Sequence, residues 1–187
     1  ITSLGMEALA ARTYCVNIIM YVYLFSIAIS HAGAICIGHL VGAGRWEGAY
    51  LMGKYVMKVA LIWTLIFSFL IALSGPVIMT TLTSNPQIIA FGVAILWIDV
   101  VLEIGRPINI LFVNVLQAAG DVNYPFYVGL VWMWSVAVVC AYLFGITFGF
   151  GILGMWWMFA LDENIRGVVF IRRWNSRRWQ HKGFTLT

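Results

Sequence analysis

Charge is what this sequence has least of. Only 10% of its 187 residues are Asp, Glu, Lys or Arg, while 63% are hydrophobic. Soluble domains carry about 25% charged residues and an apolar share of about 45–50%, so a soluble domain is excluded. Residues 59–98 and 122–161 contain no Asp, Glu, Lys or Arg at all. Each run is about twice the ~20 residues that one membrane-spanning helix needs. The runs are apolar throughout rather than alternating, which excludes the strands of a membrane β-barrel. Cysteine is scarce as well. Cys15, Cys36 and Cys140 lie in apolar surroundings without CxxC spacing, so they read as packing residues and not as a metal or redox centre. HExxH, GxSxG and the GK[ST] ending of a phosphate loop are all missing, and no enzyme activity or cofactor is expected. The opening "ITSLGMEALAARTY" has no basic flank before a short apolar core, so it reads as chain inside a polytopic protein and not as a signal peptide.

What is present fits an all-α membrane protein, a polytopic transmembrane helical bundle. Turn residues at Ser74-Gly75-Pro76, Ser84-Asn85-Pro86 and Gly145 to Gly154 divide the apolar runs. Five spans are expected, at about 7–39, 48–73, 87–118, 122–145 and 151–173, followed by a basic tail over 174–187. Lys and Arg set the direction. Arg45, Lys54 and Lys58 group at the first turn, and Arg172, Arg173, Arg177, Arg178 and Lys182 at the end; together they are eight of the eleven basic residues. With five spans both groups fall on one side, which is then cytoplasmic, as is the C-terminus. Loops 74–86 and 146–150 on the other side carry no charge. Trp46, Trp174 and Trp179 are expected at the cytoplasmic boundary as an aromatic belt. The net charge of +4 is thus accounted for by topology, with the lipid bilayer as partner and no nucleic acid.

Against this background "EIGRPINILFVNVLQAAGD" (103–121) stands out. At 100° per residue, Asp99, Glu103 and Arg106 lie within about 60° of one another. Asn114, Gln117 and Asp121 continue that face, with Asn109 beside it. A charge near the middle of a span costs several kcal/mol unless paired or hydrated, so Glu103 is expected to meet a cavity or a partner. Pro107 leaves the Glu103 carbonyl without its helical donor, free for a cation, water or side chain. Two readings stay open here: a structural ion pair, or an ion or proton site, with Na⁺ at Asp99 and Glu103 the candidate metal. The fifth span carries a second cluster, "LDENIRG", in which Arg166 is spaced to pair with Asp162 and Glu163. It reads either as a structural network or as a proton or ion network, with Asp162 and Asp99 placed to face one another across the bundle. The first span supplies His31, His39 and Asn17; the Asn17 amide oxygen suits a cation. Tyr14, Tyr21 and Tyr23 read as packing or as cavity lining. In "GHLVGAG" (38–44), Gly42 and Gly44 permit a tight helix exit.

Two stretches carry a resemblance. "AICIGHLVGAGRWEGAYLMGKY" (34–55) resembles the GQxxGAGxxxxA-like helix–loop–helix of the multidrug and toxic compound extrusion (MATE) family. "GRPINILFVNVLQAAGDVNYP" (105–125) resembles the fourth helix of a bundle in that family and its "GD…P" turn, here Gly120, Asp121 and Pro125. "DENIRGVVFIRRWNSRRW" (162–179) is similar to the family's last helix and basic exit. The resemblance implies that the spans are helices eight to twelve of a twelve-helix secondary transporter, whose partner is the amino-terminal bundle of the same protein. It implies export of small cationic or amphipathic compounds by exchange for Na⁺ or H⁺ at the cell membrane. The matching positions for ion or substrate are Asp99, Glu103 and Arg106, with Asn17. His39 stands where many members have glutamine, and Arg106 in the region where some have a lone carboxylate. A lipid-linked oligosaccharide flippase of related architecture and a non-transport membrane scaffold are the alternatives.

Overall fold

A computed structural model describes residues 5–182 and has five long helices, with no strand among the described residues. Helix α1 spans Met6–Gly42, α2 Trp46–Leu82, α3 Pro86–Ala118, α4 Asn123–Thr147 and α5 Gly151–Asn175, followed by a 3₁₀ turn over Arg178–His181. The first four are long and apolar enough to cross a membrane. α5 has 25 residues, about 37 Å of helix at 1.5 Å per residue, but Asp162, Glu163 and Arg166 interrupt its apolar run. α1 and α2 have 37 residues each. At about 55 Å each they outrun a hydrocarbon core of ~30 Å, so they tilt or project beyond it.

The turns explain the helix ends. After α1, Ala43, Gly44 and Arg45 donate backbone N–H groups to His39, Val41 and Leu40. After α3, Ala119, Gly120 and Asp121 do the same to Val115, Gln117 and Leu116. The two turns share one hydrogen-bond pattern, and each places a glycine in the left-handed region, Gly44 at φ 70° and Gly120 at φ 87°. Gly42, by contrast, is helical, and a Cβ there would meet nothing within 4 Å. The turn chemistry expected of both glycines therefore falls to Gly44 alone. Pro125 sits buried in the first turn of α4.

The expected break at Ser74-Gly75-Pro76 does not occur. α2 runs through Pro76 to Leu82, and the loop shrinks to residues 83–85. A proline is tolerated inside a membrane helix, and Gly75 serves packing: a Cβ there would stand 3.2 Å from Leu96 of α3. The true stop is Asn85, whose side chain accepts from the N–H of Gln87 and Ile88, with Pro86 at the first helical position. In the second apolar run the turn lies at Gly149 and Gly151, both with positive φ. Gly145 and Gly154 are instead helical and give room to Met155, Phe150 and Phe144.

α3 is the central helix, packed against α1, α2 and α5, while α4 lies at the edge against α5. The core has two apolar halves. One gathers Ala11, Cys15, Ala72, Ile95, Leu96 and Leu102. The other, toward the basic end, gathers Ile37, Leu111, Phe112, Val115, Trp174 and Trp179. Between them α3 carries its polar layer, Asp99 to Asn109. Trp174 and Trp179 are not a lipid-facing belt. Both are fully buried and stack at 4.1 Å between ring centroids, and Gly53 of α2 leaves the space Trp174 fills. Their indole N–H groups donate to Tyr50 O and Trp174 O, which folds residues 174–182 back onto the bundle. Residues 183–187 of the expected tail lie outside the described residues. Arg177 pairs with Glu47, and Arg173 with Asp121, so both basic groups meet at one end.

Candidate functional site

The polar layer of α3 is an ion-pair cluster. Arg106 Nη2 reaches Asp99 Oδ1 at 3.2 Å, and Nη1 donates to Glu103 Oε1. One guanidinium bridges both acids, because two turns separate Asp99 from Arg106 on one face. Both acids are buried, Glu103 at 0% exposure and Asp99 at 2%. On α5, Arg166 Nη2 meets Asp162 Oδ2 at 2.6 Å and Glu163 Oε1 at 2.9 Å. Each arginine thus answers two carboxylates.

The two clusters join through Asn109. Its Nδ2 donates to the Glu163 backbone carbonyl at 2.8 Å and to the Glu163 carboxylate. Asn164 of α5 returns the contact, donating to Val101 O of α3 at 2.9 Å. The link between the two clusters is Asn109 to Glu163; Asn109 lies ten residues beyond Asp99 toward the basic end. The helices come this close because Gly105 has no side chain: a Cβ there would run into the backbone of Glu163 and Asn164. Gly105 and Asn164 escaped the sequence reading, although a glycine beside a charged residue in an apolar helix is a signal of close approach.

A cavity of about 380 Å³ opens on this cluster. Arg106, Asn109, Asn114, Glu163, Arg166 and His31 line it, so six of the expected residues come together. Tyr23 and Arg106 also line a neighbouring apolar pocket of about 250 Å³ with Ile19, Met20 and Trp156. Two candidates stand apart. Asn17 is exposed and lines neither cavity, so its amide is not part of this site. Asp121 is buried but pairs with Arg173 at 2.7 Å at the basic end, a tie between the α3–α4 turn and α5. Pro107 lies buried within α3, whose helix continues past it. Three oxygen acceptors in the layer have no hydrogen-bond partner among the described residues: Glu103 Oε2, Asn109 Oδ1 and Asp162 Oδ1. Buried acceptors normally find a donor, and the two carboxylate oxygens among these are positions a proton could satisfy.

The model of the MatE family matches residues 1–143. Over 98% of its length the chain is 37% identical to the uncharacterized transporter YisQ of Bacillus subtilis (strain 168), covering 40% of that protein. It is 23% identical to a probable multidrug resistance protein NorM of Idiomarina loihiensis, covering 98% of this chain and 41% of that one. With the multidrug resistance protein MdtK of Photorhabdus laumondii it shares 22% identity, over 95% of this chain and 40% of that one. The chain spans about two fifths of the length of these relatives. With the family model covering most of its residues, in a bundle of long apolar helices, this membrane protein belongs to the MatE family of multidrug and toxic compound extrusion proteins.

Proposed function

We propose that this chain is the C-terminal bundle of a secondary transporter that exports amphipathic and cationic organic compounds in exchange for Na⁺ or H⁺ across the cell membrane, with its C-terminus cytoplasmic. The observation that carries this is a buried layer of carboxylates, in excess over their arginines, which reaches a cavity beside an apolar pocket through Glu163 and the two arginines, with Asp99, Glu103 and Asp162 behind them. The names of NorM and MdtK as multidrug resistance proteins support the same reading.

The mechanism follows from charge. Asp99 and Glu103 outnumber Arg106, so the unloaded face attracts a cation from either source. A positively charged cargo would rest its apolar body against Met20 and Trp156 and its charge toward Glu163. Loading the face with Na⁺ or a proton cancels the surplus and weakens that attraction, and the two ligands disfavour each other reciprocally. A flippase for lipid-linked pyrophosphates is disfavoured, since both cavity arginines are already held by carboxylates.

The test uses the full-length open reading frame in cells stripped of their own pumps and loaded with ethidium. Under an imposed Na⁺ or H⁺ gradient, Glu103→Gln and Asp99→Asn are each expected to slow gradient-driven efflux about tenfold, a mid-range coupling factor. Unchanged efflux in both variants at normal membrane levels would confine these carboxylates to structure.

A further inference from the structure

The cluster on α5 is built like the one on α3. Each has one arginine answering two carboxylates, and each has one buried carboxylate oxygen with no partner among the described residues, Glu103 Oε2 on α3 and Asp162 Oδ1 on α5. Asp162 is 2% exposed, so water does not relieve it as it would a surface carboxylate. Asn109 adds an independent observation. It is 5% exposed and comes from another helix; its Nδ2 is committed to Glu163, while its Oδ1 is left as an acceptor without a donor. Four carboxylates face two guanidiniums, a surplus of two negative charges divided one to each centre. Among the described residues no other charged side chain pairs with these four acids. α4 brings no Asp, Glu, Lys, Arg or His, and the titratable groups α1 brings to the cavity are His31 and Tyr23. On α5 the Arg166 guanidinium already bridges the two acids. Among the described residues no three His, Cys, Asp or Glu side chains gather as metal ligands. A proton needs no such cage.

We propose that Asp162, Glu163 and Arg166 form a second proton-loading centre on α5, joined through Asn109 to the centre on α3, so that each transport cycle carries two coupling protons. One proton adds to a carboxylate oxygen of each centre from water on one side and leaves to water on the other. This rests on the antiport reading above and extends it from one acid-bearing helix to two.

The test has two arms, both on the full-length protein. In a weakly buffered detergent solution with a pH indicator, ethidium binding is expected to release two protons per molecule from the wild type. Asp162→Asn and Glu163→Gln should each release one. In proteoliposomes, ethidium efflux under an imposed proton gradient tests the antiport reading itself. One proton from the wild type, unchanged in both variants, would overturn the second centre while leaving antiport intact. Efflux driven by Na⁺ without proton release would do the same. Should both variants elute as aggregates, a wild-type count of one still overturns the second centre. No gradient-driven efflux at all would overturn the antiport reading and this inference with it.

Discussion

Replacing Arg106 by alanine is expected to destabilise the full-length protein by about 3–5 kcal/mol, the cost of stranding a buried charge. Arg106 is the shared partner of Asp99 and Glu103, both almost wholly buried. Its removal leaves two carboxylates facing one another inside the bundle. No nearby cation takes its place, because Arg166 is already held by Asp162 and Glu163. The loss should therefore exceed that of an ordinary polar-to-alanine change. A combined variant makes the reason testable. Adding Asp99→Asn and Glu103→Gln to Arg106→Ala removes the stranded charges and is expected to recover much of the loss, since a pair replaced together can be nearly neutral. The measurement is thermal unfolding in detergent, followed by tryptophan fluorescence and by the fraction eluting as a single species. If Arg106→Ala unfolds at the wild-type temperature, the ion pairs do not hold the layer together.

The face that carries this prediction was legible because helical spacing is strict. Asp99, Glu103 and Arg106 fall on one side of any α-helix, and in an apolar chain they stand alone. Four of the five helices were legible as apolar runs longer than a bilayer needs. What spacing cannot supply is the neighbour of each face. α1 is apolar all round, so nothing in its sequence orients it, and Asn17 read as a ligand while its helix turns it outward. Ser74-Gly75-Pro76 reads as a turn by the rules of water-soluble chains. Inside a bundle the glycine is needed for contact with Leu96, and the proline costs little where neighbouring helices pack around it. Trp174 and Trp179 read as interfacial aromatics, and only the space at Gly53 shows that they belong inside. The link between the two charged clusters was hidden for a further reason. It rests on Asn109 and Asn164 reaching backbone carbonyls of the opposite helix, and a carbonyl has no sequence signature.

Gly105→Ala should be the most damaging single-methyl change in the protein, at about 3 kcal/mol, the upper part of the usual overpacking range. At Gly92 the obstacle is the flexible side chain of Met79, at Gly53 the ring of Trp174, and at Gly154 the nearest atom is Phe150 Cβ, with the Phe144 carbonyl at 3.1 Å. At Gly105 the obstacle is the main chain of Glu163 and Asn164, and a Cβ on Gly167 of α5 would itself stand 3.5 Å from the Gly105 backbone. Main chain inside a helix cannot step away without moving the helix. Helices in lipid have no hydrophobic force holding them together, only close packing and hydrogen bonds. Moving α5 outward stretches the Asn109 bond of 2.8 Å to Glu163 O and the Asn164 bond of 2.9 Å to Val101 O together. It also pulls the Glu163 carboxylate from Asn109, so the two charged clusters lose their connection at the same step. Gly42→Ala is the matched control. Gly42 is helical with open space around it, so the same methyl there should change stability by about 0.5 kcal/mol or less. Unfolding of the two variants in parallel separates a close backbone crossing from a general intolerance of substitution. A Gly105→Ala protein as stable as Gly42→Ala would mean that α3 and α5 do not meet along their backbones. Loss of stability at Gly105 alone would show that one absent side chain holds the two acid-bearing helices in register.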